Sequence, residues 1–200
     1  MNIIMTIKSI CVSFIVIFCG TVCFSQVPSK KSELTVADRE AWQKVLRWPV
    51  ELDEQWRRSR TTTDREQSGL VFHSLGDGNY LVAIEVHESS YQPRYIFMHY
   101  SESGKTPSQL LKIKTYKRDK EGAISTKVSA EVEAVATFDT TKKQLVLHTK
   151  ERGTGDCGSL AKYNITATRA IPAEVRAHAC FNDYSLGVSD PGRWQKLRRL

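Results

Sequence analysis

Two cysteines and the polar loop around the first of them are the residues whose types and spacing could support chemistry. The loop runs from Arg152 to Ser159 with the sequence RGTGDCGS, which includes Cys157, and Cys180 follows it. A pair of cysteines in an oxidising compartment favours one disulfide, whereas a metal site would need more ligands nearby, and only His178 is close. We therefore predict a Cys157–Cys180 disulfide, and neither a metal ion nor another cofactor.

Arg152, Asp156 and Ser159 form the candidate functional loop. Glycines at positions 153, 155 and 158 let the chain bend or bulge there, and an Asp in such a bend typically bonds turn amides. We favour this structural role for Asp156, and a catalytic Asp156 stays the alternative. Ser159 does not lie in a G-x-S-x-G elbow, so a hydrolase triad has no anchor and no catalytic residue is assigned.

The remaining titratable residues show no spacing typical of a metal or catalytic centre. The histidines lie in strand-like runs without an H-E-x-x-H pattern, at positions 73, 87, 99, 148 and 178. The segment Asp77–Asn79 is too short for a calcium loop, which needs several oxygen ligands in register. These patterns favour packed or surface residues.

The two strands that flank the cysteines predict how the sulfur atoms meet. Leu160–Thr166 and Ile171–Cys180 would form a hairpin whose turn lies at Ala167–Ala170. In that register Cys157 faces Cys180 across adjacent strands, at a separation that a disulfide tolerates.

Two short helices are predicted before these strands. Thr35 and Asp38 have the spacing of a capping box, and Pro49 stops the first helix near Arg47. The second helix covers about Glu51–Arg58. The apolar faces consist of Ala37, Trp42, Val45 and Leu46 in the first helix and of Leu52 and Trp56 in the second.

Three tryptophans, Trp42, Trp48 and Trp56, lie within or between the helices. Because burial of a Trp ring is energetically large, we expect them to pin the helices to a sheet. An exposed platform that stacks on a sugar or a peptide is the alternative.

From Gly69 onward the chain consists of short β-type runs broken by turn residues, and Gly76-Asp77-Gly78-Asn79 is a strong hairpin signal between the first two. Alternation places Tyr80, Val82, Ile84 and Val86 on one face of their strand. The predicted strands are Leu70–Leu75, Tyr80–His87, Arg94–Tyr100, Leu110–Tyr116, Ile124–Val132, Val135–Phe138, Gln144–Thr149, Leu160–Thr166 and Ile171–His178. Short connections favour antiparallel pairing. The predicted class is α+β, with N-terminal helices packed on a mainly antiparallel β-meander, sheet or barrel-like, in one domain over residues 34–200.

The loop and its surroundings resemble an uncharacterised family of exported bacterial proteins, the domain of unknown function 1176 family. The family has an Arg-Gly-x-Gly-Asp-Cys-Gly core, which residues 152–158 match. The core is followed by an aromatic residue, a second cysteine and a Trp near the end, which here are Tyr163, Cys180 and Trp194. The segments Glu174-Val175-Arg176, Asp38-Arg39-x-x-Trp42 and Leu46-x-Trp48-Pro49 are similar too. Thr154 and Tyr163 depart from an apolar residue and a Trp. The resemblance implies an envelope or secreted location, and the family brings no assigned chemistry.

The N-terminus is typical of a cleavable export signal. Lys8 precedes an apolar run from Ile10 to Phe24, and small residues precede a cut between Ser25 and Gln26. The run is shorter than the roughly 20 apolar residues that a membrane span needs. We therefore predict a signal peptide at 1–25, a flexible leader at 26–33, no stable membrane span after cleavage, and a periplasmic or extracellular location.

The mature chain is moderately basic. Lys8 is the only charge in the signal, so cleavage lowers the formal net charge from +7 to +6. The charge is spread along the sequence apart from a C-terminal cluster of Arg193, Lys196, Arg198 and Arg199, which is typical of a solvated end. Export argues against nucleic acid as the partner.

Two functions remain open. We favour a non-enzymatic module that binds a partner protein or a cell-envelope polymer, of which an enzyme inhibitor would be one kind. The alternative is a small envelope hydrolase whose site is assembled by folding. A concave pocket with at least two titratable groups of shifted pKa would favour the enzyme.

Overall fold

The computed structural model describes residues 34–60, 67–89, 91–181 and 187–197. The predicted signal peptide, its cleavage site and the leader lie outside these residues. The predicted α+β class, short helices with mainly antiparallel strands, is confirmed. The elements are α1 (Val36–Leu46), α2 (Val50–Ser59), β1 (Leu70–Gly76), β2 (Asn79–His87), β3 (Arg94–Ser101), β4 (Gln109–Leu110), β5 (Ile113–Arg118), β6 (Ile124–Ser129), β7 (Glu131–Glu133), β8 (Val135–Asp139), β9 (Gln144–Lys150), β10 (Gly158–Ile165), β11 (Ala170–His178), a 3-10 turn (Pro191–Arg193) and β12 (Gln195–Lys196).

Helix α1 begins and ends as its sequence predicts. The backbone N–H of Thr35 donates to Asp38 Oδ2 at 2.8 Å, and the N–H of Asp38 donates to Thr35 Oγ1 at 3.3 Å, which completes the capping box. Arg47 adopts a left-handed conformation and its N–H donates to the Gln43 carbonyl at 2.7 Å. Because Pro49 has no N–H to continue the ladder, α2 starts afresh after it.

A buried ion pair joins the two helices. Arg39 of α1 is 1 % exposed and donates from Nε and Nη2 to Oδ1 of Asp53 on α2, at 2.9 and 2.7 Å. Trp48 Nε1 donates to the same oxygen at 3.0 Å, and the Arg39 guanidinium lies 4.0 Å from the Trp56 ring centroid. Burial lowers the pKa of Arg39, and Asp53 beside it favours the charged form. The helices are therefore locked at a polar contact inside an aromatic shell.

The tryptophans pin the helices, as predicted. Trp42, Trp48 and Trp56 are each at most 2 % exposed. Such burial is incompatible with a stacking platform for a ligand, so the structure rules out that alternative. The predicted apolar face of α1 is wrong at one position, since Ala37 is exposed and Arg39 is buried instead.

The first sheet is buried on both of its faces. Its order is β1-β2-β3-β4, and β7 also pairs with β3. Val82, Ile84 and Val86 of β2 pack against the helices, as the alternation predicts. Leu81 and Ala83, between them in sequence, belong to the core beneath the sheet. This sheet is thus the middle layer of the fold.

The second sheet forms the outer layer on the side away from the helices. Its order is β12-β11-β10-β9-β8, and all its pairs are antiparallel. Ala161, Tyr163 and Val175 from this sheet pack with Phe97 from the first sheet in one core. The Tyr163 hydroxyl donates to the Lys114 carbonyl at 2.8 Å, which ties β10 to β5. The predicted meander is therefore divided between two stacked sheets.

Two predicted strands are each broken in two. Leu110–Tyr116 divides between β4 and β5, and Ile124–Val132 divides at Ala130 between β6 and β7. The reason lies in β3, because β4 and β7 share the edge of β3 that β2 leaves open. The chain between them must leave that edge and return, and it does so as the separate β5–β6 hairpin.

Buried histidines predict a loss of stability on acidification. His99 on β3 is 4 % exposed, and its Nδ1 has no hydrogen-bond partner in the described part of the chain. Burial lowers the pKa of His99, and it also lowers those of His73 and His148. The unfolded chain binds protons at the usual pKa near 6.5, whereas the folded protein resists them. Stability should therefore be complete above this pH and should fall as the pH drops from about 7 to 5.

Urea unfolding at about pH 7 and about pH 5 measures this loss as a decrease in the midpoint concentration of urea. The His99→Leu variant should lose less than the wild type, because one buried group that resists protonation is gone. An equal loss in the two proteins would contradict the role of His99.

Candidate functional site

The predicted disulfide is present. The Cys157 and Cys180 sulfur atoms are bonded, and their Cα atoms lie 5.1 Å apart. Cys157 is fully buried, and Cys180 is partly exposed. The bond closes the open end of the β10–β11 hairpin, and its presence fits a protein of an oxidising compartment.

The predicted register of this hairpin is wrong. Gly158 pairs with His178, whereas the predicted register places it opposite Ala179. Near the turn, Ile165 pairs with Ala170, whereas the predicted register places it opposite Pro172. The register shifts between Lys162 and Tyr163, where the facing strand contains Pro172, which cannot donate to the ladder. The turn occupies residues 166–169, one residue earlier than predicted. The cysteines therefore meet just beyond the last strand pair.

Arg152 and Asp156 are brought together, and they form an ion pair. Arg152 Nε donates to Asp156 Oδ1 at 2.7 Å, Nη2 donates to Oδ2, and Nη1 donates to the Phe181 carbonyl at 2.6 Å. The Thr154 hydroxyl also donates to Asp156 Oδ1. The sequence predicts that Asp156 bonds turn amides, and a backbone hydrogen bond does contribute, but the charged guanidinium of Arg152 supplies the stronger hydrogen bonds.

The surroundings of Asp156 favour a structural role. The hydrogen bonds from Arg152 hold the pKa of the Asp156 carboxyl well below its usual range. The Asp156 carbonyl accepts from the Val188 N–H at 3.0 Å, and a Cβ added at Gly187 would lie 2.0 Å from Asp156 Oδ2. A general acid or base needs a pKa near the operating pH and access to substrate. Asp156 is instead the centre of a clamp that holds three chain segments together.

Ser159 does not join this clamp. It is 2 % exposed on β10, in alternation with Ala161 and Tyr163 of the core between the sheets. No hydrogen bond connects Ser159 to Arg152 or Asp156 among the residues that the structure describes. The three residues of the candidate loop therefore do not converge on one surface.

Trp194, the last residue of the motif, is buried against the second sheet. Its Nε1 donates to the Val188 carbonyl at 2.5 Å, and its ring centroid lies 5.4 Å from that of His148 and 6.3 Å from that of His178. The C-terminal segment is thus anchored beside the disulfide. The distinctive sequence motif describes one structural unit.

Two of the four residues of the C-terminal basic cluster lie in the part of the chain that the structure describes. Arg193 and Lys196 are exposed, and Lys196 Nζ lies 3.7 Å from Glu174 Oε2. Arg198 and Arg199 lie outside the described residues.

Metal ligands do not gather within the described ranges, where no group of three or more His, Cys, Asp or Glu could hold an ion. Neither α1 nor α2 has the length and apolar character of a membrane-crossing helix.

The β5–β6 hairpin concentrates positive charge. We call residues 112–127 the basic hairpin, since they contain six cations and two acids, a net charge of +4. Lys112 and Lys127 are exposed and form no ion pair with any described residue. Lys117 Nζ does bind Glu151, at 2.5 Å. The basic hairpin thus carries an excess of positive charge, and Lys112 and Lys127 present part of it at the surface.

The sequence interpretation missed this surface. It treated the charge as spread along the chain, and a count over residues 112–127 would have found the cluster. Folding adds a contact that the count does not show, because Lys127 on β6 pairs with Thr115 on β5 and is therefore diagonal to Lys117 on the same face of the hairpin.

A cleft of about 470 Å³ lies at the base of the basic hairpin, beside the turn between β10 and β11. Lys112, Lys114 and Arg169 line it together with Ile171, and no acidic residue among those the structure describes does. The Lys114 ammonium lies 5.4 Å from the Tyr116 ring centroid.

A second cleft, of about 300 Å³, separates the basic hairpin from β7 and contains carboxylates. Glu131, Glu133 and Glu151 line it, together with Tyr116 and Lys117. Burial raises the pKa of Tyr116. Of the two clefts, this one contains acids that could take part in hydrolysis.

No family model, no curated protein and no solved structure matches this chain. The function proposed below therefore rests on the geometry of the chain itself.

Proposed function

We propose that this chain is an exported, non-enzymatic protein that binds an anionic polymer of the cell envelope through the basic hairpin. The observation that carries the proposal is the net charge of +4 on a single two-stranded hairpin, with exposed lysines at both ends of the segment. An excess of charge of one sign raises the local concentration of a polyanion and favours its binding.

The composition of this surface favours a polymer over a folded protein partner. Five of the six cations are lysines, at positions 112, 114, 117, 120 and 127. Lysine is depleted in protein–protein interfaces, because its long flexible side chain loses much entropy when it is fixed. A flexible polyanion can instead adapt to several ammonium groups along the roughly 20 Å of a six-residue strand.

The exported location belongs to the same proposal. The Cys157–Cys180 disulfide fits an oxidising compartment, and the predicted signal at 1–25 would direct the chain there. Membership of the domain of unknown function 1176 family is proposed on the sequence motif alone, which consists of residues 152–158, Tyr163, Cys180 and Trp194.

Binding to a sulfated dextran column tests the proposal. The Lys120→Gln/Lys127→Gln variant should elute at lower salt than the wild type, because two of the cations that face the polymer are lost. The slope of log K against log salt should fall by about one for each lost contact, as for other linear polyanions.

The matched control is Lys44→Gln/Lys142→Gln, which removes the same net charge from the last turn of α1 and from the β8–β9 turn. The control should keep most of the wild-type retention. Equal losses in the two variants would show that only net charge matters and would refute binding at the hairpin.

A small envelope hydrolase is the second candidate, and the carboxylate-lined cleft is the observation that favours it. Glu131 lies 3.6 Å from Arg94 and Glu151 binds Lys117, whereas Glu133 forms no ion pair with any described residue. Such an enzyme would release reducing ends from envelope polysaccharide, and Glu133→Gln would abolish the release. Activity that survives this change would exclude Glu133 as its acid or base.

A further inference from the structure

We infer that the cleft at the base of the basic hairpin binds an amphiphilic anion, meaning a phosphate or similar anionic group attached to an apolar chain or ring. The cleft lies where the connection between β4 and β5 approaches the β10–β11 turn. This inference does not depend on the polymer proposed above, because Lys120 and Lys127, which test the polymer, do not line the cleft.

The charge of the cleft selects an anion. Lys112, Lys114 and Arg169 come from two separate parts of the chain and converge on one concave surface. None of the three forms an ion pair with a carboxylate in the described ranges. Three like charges around one cleft repel each other, and a bound anion relieves that repulsion. The Arg169 guanidinium adds a planar donor set that suits a phosphate or carboxylate.

The wall beside the cations selects an apolar group. Ile171 is 46 % exposed, although it lies at the start of a strand whose alternate residues are buried. Leu110 and Pro172 continue this apolar surface within the same cleft. An inorganic anion would leave this wall in water, whereas an attached alkyl or aromatic group would cover it.

The size of the cleft selects a small ligand. A volume of about 470 Å³ lies in the range of small-molecule sites, roughly 300–1,000 Å³. The apolar wall and the cations lie within one such volume, so one molecule with both characters can contact both.

Three probes separate the two parts of the inference: octyl phosphate, inorganic phosphate and octan-1-ol, each titrated into the full mature chain by calorimetry. Octyl phosphate should bind at least about tenfold more tightly than either of the others, because it alone uses both the cations and the apolar wall. If inorganic phosphate binds as tightly as octyl phosphate, the apolar wall has no role and the inference is overturned. If octyl phosphate does not bind, it is overturned as well.

Matched variants locate the binding. Lys112→Gln/Arg169→Gln should weaken octyl phosphate binding about tenfold, and Ile171→Thr should weaken it about threefold while keeping a β-branched residue in the strand. The controls are Lys142→Gln and Val135→Thr, which change an exposed lysine and an exposed valine elsewhere. Controls that weaken binding as much as the cleft variants would place the ligand elsewhere. Lys112 belongs to both the cleft and the basic hairpin, whereas Ile171→Thr removes no charge. Retention of Ile171→Thr on sulfated dextran should therefore equal that of the wild type, which separates the cleft from the polymer site.

Discussion

Replacing Asp53 with alanine should lower the free energy of unfolding by about 3–5 kcal/mol, because it leaves the Arg39 guanidinium buried without its counter-charge. Three donors converge on Asp53 Oδ1, two from Arg39 and one from Trp48 Nε1. Because Arg39 and Asp53 are both buried, water cannot take the place of the lost carboxylate. Urea unfolding followed by tryptophan fluorescence measures the loss directly, since Trp48 and Trp56 surround the ion pair.

Two further variants test whether the loss of stability comes from the unpaired, buried charge of Arg39. Glu54→Ala removes an exposed carboxylate from the same helix, where it pairs with Arg58, and should cost less than about 1 kcal/mol. The double change Arg39→Met/Asp53→Leu replaces the pair with apolar side chains and should cost less than Asp53→Ala alone. If Arg39→Met/Asp53→Leu is less stable than Asp53→Ala, the loss of stability comes from the missing ion pair and not from an unpaired buried charge.

Local chemistry in the sequence predicts the elements well. The Thr35–Asp38 spacing gives the start of α1 because both hydrogen bonds of a capping box are formed within four residues. The Gly76–Asn79 turn is equally local, since Asp77 and Gly78 adopt the positive φ angles, 53° and 70°, that a tight hairpin requires. Such signals depend on neighbours in the chain and need no knowledge of the tertiary fold.

The division of the strands could not be predicted because it depends on contacts distant in sequence. The segment Leu110–Tyr116 contains no Gly or Pro that would mark a break, yet β4 and β7 must share one edge of β3, which interrupts the strand. The burial of Arg39 has a similar origin. Arg39 lies on the same face of α1 as Trp42, but only a carboxylate from another helix makes a buried cation tolerable there.

The candidate site illustrates the same limit. Residue types in the Arg152–Ser159 loop suggest function, since Arg, Asp and Ser are common in active sites. In the structure Arg152 and Asp156 bind each other, and Ser159 faces the core. The basic hairpin has a composition signal in the sequence, but its cleft does not, because Arg169 joins Lys112 only after β10 and β11 fold beside β5.

Replacing Gly158 with alanine should cost about 4 kcal/mol or more, since both the backbone conformation and the available space exclude a side chain. Its φ of 137° is a conformation that residues with a Cβ rarely adopt. An added Cβ would lie 2.0 Å from the carbonyl oxygen of Thr149 on the neighbouring strand. Strain of this kind costs about 1–3 kcal/mol, and overpacking adds a comparable amount. The clash also falls where β9 pairs with β10, next to the disulfide.

Two other glycines separate the cost of backbone strain from the cost of the steric clash. Gly104 has a φ of 65° with no atom within 4 Å of an added Cβ, so Gly104→Ala should cost only the backbone strain, about 1–2 kcal/mol. Gly153 has neither feature, because its φ is ordinary and its nearest neighbour, a Tyr91 ring atom, lies 4.0 Å away. Gly153→Ala should therefore change stability by no more than about 0.5 kcal/mol. Urea unfolding of the three variants with the disulfide intact should rank them in this order. A Gly158→Ala cost equal to that of Gly104→Ala would mean that β9 can move away from the loop, and that the close approach to Thr149 is not required by the fold.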